Sequence, residues 1–205
     1  MLSVSAIIQQ LKIDLSSEHP FTDKGITVAC VIGDGYGYFT LLLKALDPDL
    51  KIITVNIGRT LLFDVLFVKK GLPQEESRLI DALNSMDPLV SLNFCEAEQY
   101  ELLHGMPIDL FVNIASMQEM NPVVINTYFE YMRASRSEKV FFYCCNRIKK
   151  NLPDGTITQF SEYPWGDAVI LLDELCPWYQ EFPVTTPPFW KNFDGPTQHR
   201  FVRLK

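Results

Sequence analysis

The sequence predicts an α/β fold, a doubly wound and mostly parallel sheet with helices on both faces. Three observations predict it. Short β-branched runs without charge, such as "ITVACVI" at 26–32, alternate with longer helical patterns, such as "YFTLLLKAL" at 38–46. Unbroken apolar strands of this kind suit a parallel sheet buried on both faces. The first strand also ends in "GDGYG" (33–37), three glycines at alternate positions on a strand-to-helix turn. Glycine there permits positive φ and lets a bound molecule touch the backbone.

Taken in order, "MLSVSAIIQQLKIDL" reads as an amphipathic helix. It lacks the basic start and early cleavage site of a signal peptide, so residues 1–25 form an N-terminal helix and leader. After the glycine turn and its helix comes a second strand, "KIITVNI" (51–57), then a helix, "RTLLFDVLFVKKG", stopped by Gly71. "SLNFCEA" (91–97) and "IDLFVNI" (108–114) are the third and fourth strands. In "SMQEMNPVVINTYFEYMRAS" the residues Val124, Tyr128 and Tyr131 recur at helical spacing, with Ser116 as cap and Glu119 at the capping-box position. "KVFFYCCN" (139–146) is a fifth strand. Beyond Arg147 seven prolines and all three tryptophans predict long loops and a last strand, "QHRFVRL" (198–204). Residues 1–205 are therefore one domain. Its Pro- and aromatic-rich part, 147–205, either covers the active-site edge as a lid or wall, or simply covers the core.

Composition narrows the function classes. With 47% apolar and 21% charged residues, the chain is of ordinary globular type. No apolar stretch approaches the ~20 residues of a membrane span, and the expected location is cytoplasmic. A net charge of -7 opposes binding to nucleic-acid phosphates, and "RIKK" (147–150) is too short to override it. The five cysteines are odd in number, without CxxC spacing and without a histidine at ligand distance in sequence. They read as reduced, buried hydrophobes, and no metal site is expected.

The glycine turn favours a nucleotide-like ligand at the first strand. A dinucleotide fingerprint needs its third glycine at position 38, which is Tyr38, and no Gly-Lys-Ser/Thr follows for a triphosphate. The remaining G-x-G-x-G resembles the first motif of Rossmann-like S-adenosylmethionine methyltransferases. That likeness implies cofactor contacts from Gly33, Asp34, Gly35, Gly37, Asn56, Glu96 and Asn113. Two positions depart from the pattern: Val31 and Asn56 stand where acidic residues are usual. Asn56 accepts one hydroxyl hydrogen bond and donates another, with less strength than a carboxylate. Asp34 is placed to supply charge near the methionine amino group, and Glu96 and Glu98 lie near an adenine, Glu98 reading rather as a solvated turn.

The second half carries a closer likeness. "FVNIASMQEMNPVVINTYFEYMR", "FFYCCNRIKKNLPDG", "YPW", "DELCPW" and "DGPTQHRFVRL" together resemble the sugar O-methyltransferase family, with its N-x-x-S-x-x-E-M and CNR-x-K segments. The likeness runs from about residue 26 to the C-terminus. It implies a seven-stranded Rossmann-like methyltransferase sheet, S-adenosylmethionine as cofactor, and methyl transfer to a sugar or glycoconjugate hydroxyl during polysaccharide assembly. Such transfer needs positioning and one base. Glu119 and His199 are the candidates, against a capping role for the first and a structural role for the second. Asn146, Arg147, Tyr163, Trp165 and Trp178 are candidates for acceptor contact or, equally, for buried structure. Two alternatives remain: a non-catalytic protein that kept the fold but has a degenerate cofactor site, and a nicotinamide-dependent sugar oxidoreductase that Tyr38 should hinder.

Overall fold

The computed structural model describes residues 2–81, 90–177, 181–192 and 195–205. It begins with helix α1 (Leu2–Leu11), then strand β1 (Val28–Ile32), helix α2 (Tyr38–Leu46), β2 (Lys51–Asn56) and α3 (Gly58–Gly71). Strands β3 (Ser77–Ile80), β4 (Leu92–Glu96) and β5 (Leu110–Ile114) follow, then helix α4 (Pro122–Arg133) and β6 (Phe141–Arg147). The remainder holds a small hairpin of β7 (Lys149–Asn151) and β8 (Ile157–Gln159), strand β9 (Val169–Leu175), a second small hairpin of β10 (Glu181–Pro183) and β11 (Trp190–Asn192), and β12 (Thr197–Arg203).

Among the described residues one sheet of eight strands runs in the order β3-β4-β2-β1-β5-β6-β12-β9. The pairs from β3 through β6 are parallel, and β12 lies antiparallel between β6 and β9. The sheet has one strand more than the seven expected. Neither β3 nor β9 was read from the sequence, because both sit at sheet edges and bury little. "SRLI" is mostly half exposed, and "VILLDEL" has no buried residue. An apolar run on an edge strand looks like any apolar loop segment to a periodicity argument.

Successive residues of β1 point to opposite faces, and both faces are covered. Ala29 and Val31 pack with Val4 and Ile7 of α1, Leu43 of α2 and Val68 of α3. Cys30 and Ile32 pack on the other side with Ile125, Phe129 and Met132 of α4. Phe129 meets Phe142 and Trp165 edge-on, with ring centroids at 5.4 and 5.2 Å. Burying a side chain of that size contributes ~1.5–3 kcal/mol. All five cysteines are described, all are buried, and none is in a disulfide. Among the described residues no helix is long and apolar enough to cross a membrane.

Helix α4 begins later than the capping-box reading required. Pro122 takes the first helical position, and Asn121 caps it by accepting the Val124 N–H at 3.0 Å. Ser116 makes no capping bond, and Met117–Glu119 form a separate 3₁₀ turn. The helix buries Ile125, Tyr128, Phe129 and Met132, while Val124 is exposed. Of the three residues at helical spacing, Tyr128 is buried and Tyr131 packs half buried against the same cluster, while Val124 faces out.

Candidate active-site crevice

The carboxyl ends of β1, β2 and β5, with the segment after β4, surround a crevice of about 380 Å³. The chain runs from β1 to β2 on one side and returns to β5 on the other. That is the topological switch point where open α/β sheets bind ligands, and the size lies within the range of small-molecule sites. Its floor is apolar, from Ile32, Val55, Ala97, Met120 and Tyr128. Polar groups come from Asn56, Thr60, Ser116 and Glu119. Ala115, at the tip of β5, holds φ at 60°, strained for a residue with a side chain.

The three glycines of the turn do different jobs. A Cβ on Gly33 would fall into the Ser116 hydroxyl, and one on Gly37 would lie 2.5 Å from a Val68 methyl and 3.2 Å from the Asp64 carbonyl oxygen. These two glycines admit the protein's own chain. Gly35 alone, at φ 83°, has nothing within 4 Å of a Cβ and borders the crevice.

The other residues expected to touch cofactor are placed as follows. The Asp34 carboxylate accepts the N–H groups of Phe39 and Thr40 at 2.9 and 2.8 Å, so it caps α2 and is not on the crevice wall. Burial pushes its carboxyl up, against the pull of those amides. Asn56 lines the crevice but is already engaged. Its Oδ1 accepts the Ile57 N–H at 2.9 Å, and its Nδ2 donates to Asp64 at 2.8 Å. Glu96 ends β4, half buried, and its neighbour Ala97 is the residue that borders the crevice.

Asn113 is fully buried beneath the site. It donates to the Ile32 carbonyl at 2.9 Å and to the Ser116 hydroxyl, and it accepts the Met117 N–H at 3.1 Å and an Asn146 N–H at 2.8 Å. Asn146, also fully buried, accepts the Gln118 N–H at 3.0 Å. The Arg147 N–H bonds Gln118 Oε1 at 2.8 Å. Asn113 and Asn146 thus form a network that fixes the turn 116–119; neither lines the crevice.

Tyr163 and Trp165, expected to hold an acceptor, are core residues. They are 5% and 8% exposed and pack with Phe160, Phe129 and Phe142. The Trp165 indole N–H donates to the Phe160 carbonyl at 2.9 Å, and the Arg200 guanidinium lies 4.6 Å from its ring. An aromatic run between prolines carries no sign of which face it will bury. Trp178 lies outside the described residues.

The two candidate bases separate cleanly. His199 is 1% exposed in β12, with Nδ1 3.2 Å from the Tyr143 hydroxyl and Nε2 3.2 Å from Glu174. It lies two strands from β5, and the crevice lining does not include it. Glu119 lines the crevice, its side chain half exposed and 3.3 Å from the Lys150 ammonium. With the capping role gone, no helix explains its carboxylate. Lys150 belongs to β7, whose hairpin lies against the 117–119 turn, and Thr158 of β8 donates to the Met120 carbonyl at 3.1 Å. The Pro-rich segment therefore buttresses the turn from behind. None of its described residues is in the lining of the crevice.

The sequence reading missed Ser116, Thr60 and Ala115 in the crevice lining, and Asp64 behind Asn56. A signal existed for Asp64, which shares the buried stripe of α3 with Leu61 and Val68. Burial pushes its carboxyl up to about 6, helped by the nearby Asp34 charge and opposed by the Asn56 hydrogen bond.

No protein-family model matches this sequence, and no curated protein matches it. Solved structures do. TehB from Haemophilus influenzae superposes with TM-score 0.60 at 12% identity, over 90% of this chain and 60% of that one. A candidate methyltransferase from Bacillus halodurans gives 0.57 at 8%, over 86% and 92%. A candidate O-methyltransferase from Nostoc punctiforme gives 0.55 at 11%, over 86% of this chain and 51% of that one. This chain thus spans about half the length of the Nostoc protein and three fifths of TehB. With its switch-point crevice and the antiparallel β12 set between β6 and β9, it has the Rossmann-like fold of methyltransferases.

Proposed function

We propose that this protein is an S-adenosylmethionine-dependent methyltransferase whose acceptor is a sugar or glycoconjugate hydroxyl. The observation that carries the reading is the crevice at the switch point, open above Gly35 and apolar along its floor. Its volume and lining fit an adenosyl group: flat apolar surface for a heterocycle, with the Asn56 amide and Thr60 hydroxyl at the rim for a ribose. The cofactor would supply an electrophilic methyl group. Glu119 then takes the proton from the acceptor hydroxyl, with Lys150 holding its carboxylate in place. The sugar assignment rests on the N-x-x-S-x-x-E-M segment. Its Asn113 anchors Ser116 from below, while Ser116, Glu119 and Met120 all line the crevice. With Tyr163 and Trp165 buried, one exposed aromatic surface that suits a sugar ring is formed by Tyr36, Phe63 and Phe67, with Tyr38 beside them. These are exposed beside Gly35 and cluster with centroids 5.5 and 5.8 Å apart.

Calorimetry with S-adenosylhomocysteine, followed by transfer of labelled methyl from S-adenosylmethionine to a panel of sugars and nucleotide sugars, tests the reading. Saturable binding and transfer are expected, and Glu119→Gln should slow transfer ~100-fold with a much smaller change in S-adenosylhomocysteine affinity. A second reading, a non-catalytic binding protein, is favoured by one observation. Asp34 accepts hydrogen bonds from the protein's own backbone and Asn56 donates to Asp64, and among the described residues Glu119 is the one carboxylate in the crevice lining. Absence of binding at millimolar S-adenosylhomocysteine would support it.

A further inference from the structure

Asp64 is a buried carboxylate that neither the packing of α3 nor the proposed proton transfer uses. It is fully buried on the face of α3 that otherwise presents Leu61 and Val68. Its Oδ2 accepts an Asn56 N–H at 2.8 Å. Its Oδ1 has no hydrogen bond of good geometry, the Gly37 amide exerting only a weaker pull. A carboxylate so poorly compensated is unfavourable to bury, and an apolar residue would pack better at this position. The close approach of α3 is itself arranged, because a side chain at Gly37 would strike Val68 and the Asp64 backbone.

Asn56 stands between this carboxylate and the crevice. One proton of its Nδ2 goes to Asp64, and one lone pair of its Oδ1 goes to Ile57. The second lone pair and the second proton remain. Donating to a carboxylate pushes electron density toward the amide oxygen, so that oxygen becomes a stronger acceptor. We propose that Asp64 is a positioning residue that orients and polarises Asn56 to accept a ribose hydroxyl, the two side chains together replacing a carboxylate at the end of β2. This rests on the reading that the crevice takes a nucleoside ligand. The charge is retained above the raised value near 6 and lost below it. The titratable neighbour is Asp34 on the glycine turn, whose repulsion adds to the effect of burial. Ligand affinity should therefore fall as Asp64 takes a proton.

Calorimetry with S-adenosylhomocysteine between pH 5.0 and 8.0 tests this on the wild type, Asp64→Asn, Asn56→Ala and the double variant. Wild-type affinity is expected to drop about tenfold from pH 7.5 to pH 5.0. Asp64→Asn should bind about tenfold more weakly at pH 7.5, with a flat profile, and the double variant no more weakly than Asn56→Ala alone. Wild-type affinity in Asp64→Asn at pH 7.5, or fully additive losses in the double variant, would overturn the relay while leaving the nucleoside reading intact. A wild type that binds no S-adenosylhomocysteine at millimolar concentration overturns both. A melting temperature of Asp64→Asn at pH 7.5 at or above that of the wild type confirms that it folds. Should it not fold, Asn56→Ala decides alone, since cutting the relay must flatten the pH profile although Asp64 remains, and an unchanged profile refutes it.

Discussion

Gly35 and Gly37 hold nearly the same left-handed backbone, at φ 83° and 69°, and differ in what surrounds them. Alanine at either position meets the strain of a left-handed side-chain-bearing residue, ~1–2 kcal/mol. At Gly37 the added methyl also overlaps Val68, and overpacking of that kind costs a further ~1–3 kcal/mol. Urea denaturation should therefore find Gly37→Ala clearly less stable than Gly35→Ala. Calorimetry should find the reverse weighting for ligand, with Gly35→Ala the variant that loses S-adenosylhomocysteine affinity relative to its stability. Equal behaviour of the two would mean that Gly35 does not face the ligand. The alternation G-x-G-x-G shows only that side chains are unwelcome; which glycine faces solvent depends on where α3 and the β5 turn arrive.

Among elements, α4 and the turn before it show how a local signal is decided. Both Ser116 and Asn121 are good caps with a helical pattern downstream, and Pro122 settles the choice because proline suits the first turn and no later one. Asn121→Ala should cost ~1 kcal/mol through the lost bond to Val124. Ser116→Ala should leave α4 unchanged by circular dichroism and instead disturb the crevice, where the Ser116 hydroxyl donates to the Ile32 carbonyl at 3.1 Å. A helix-content loss in Ser116→Ala equal to that in Asn121→Ala would contradict the assignment. The freed turn is what brings Glu119 to the crevice, so the same proline shapes both helix and site.

Across the molecule, the leader is tied to the sheet face by one buried carboxylate. Asp47, fully buried at the end of α2, accepts the N–H groups of Phe21 and Thr22 at 2.8 and 2.9 Å and the Thr22 hydroxyl at 3.0 Å. Burial pushes its carboxyl up, but the Thr22 and Phe21 hydrogen bonds together hold it below its ordinary value. A carboxyl lowered by folding contributes stability above its unfolded value and loses it as pH falls through the folded one. Asp47→Asn should accordingly cost ~1–3 kcal/mol at pH 7, and the gap to wild type should close as thermal melts are repeated toward pH 3. A gap independent of pH would show that the carboxylate charge is not what matters.

The parallel sheet, its central strands and the glycine turn were legible from sequence because each depends on the local pattern of its own residues. A strand buried on both faces is mostly apolar, and a left-handed bend without a side chain must be glycine. The eighth strand, the burial of Tyr163, Trp165 and His199, the capping duty of Asp34 and the carboxylate behind Asn56 were decided by tertiary structure. Each turns on which distant segment packs against it. Trp165 becomes core because α4 and β6 present Phe129 and Phe142 to it. Asp64 reaches Asn56 only because α3 closes on a bare Gly37. Sequence periodicity tells which residues want to leave water, but the partner they find there is a property of three-dimensional packing.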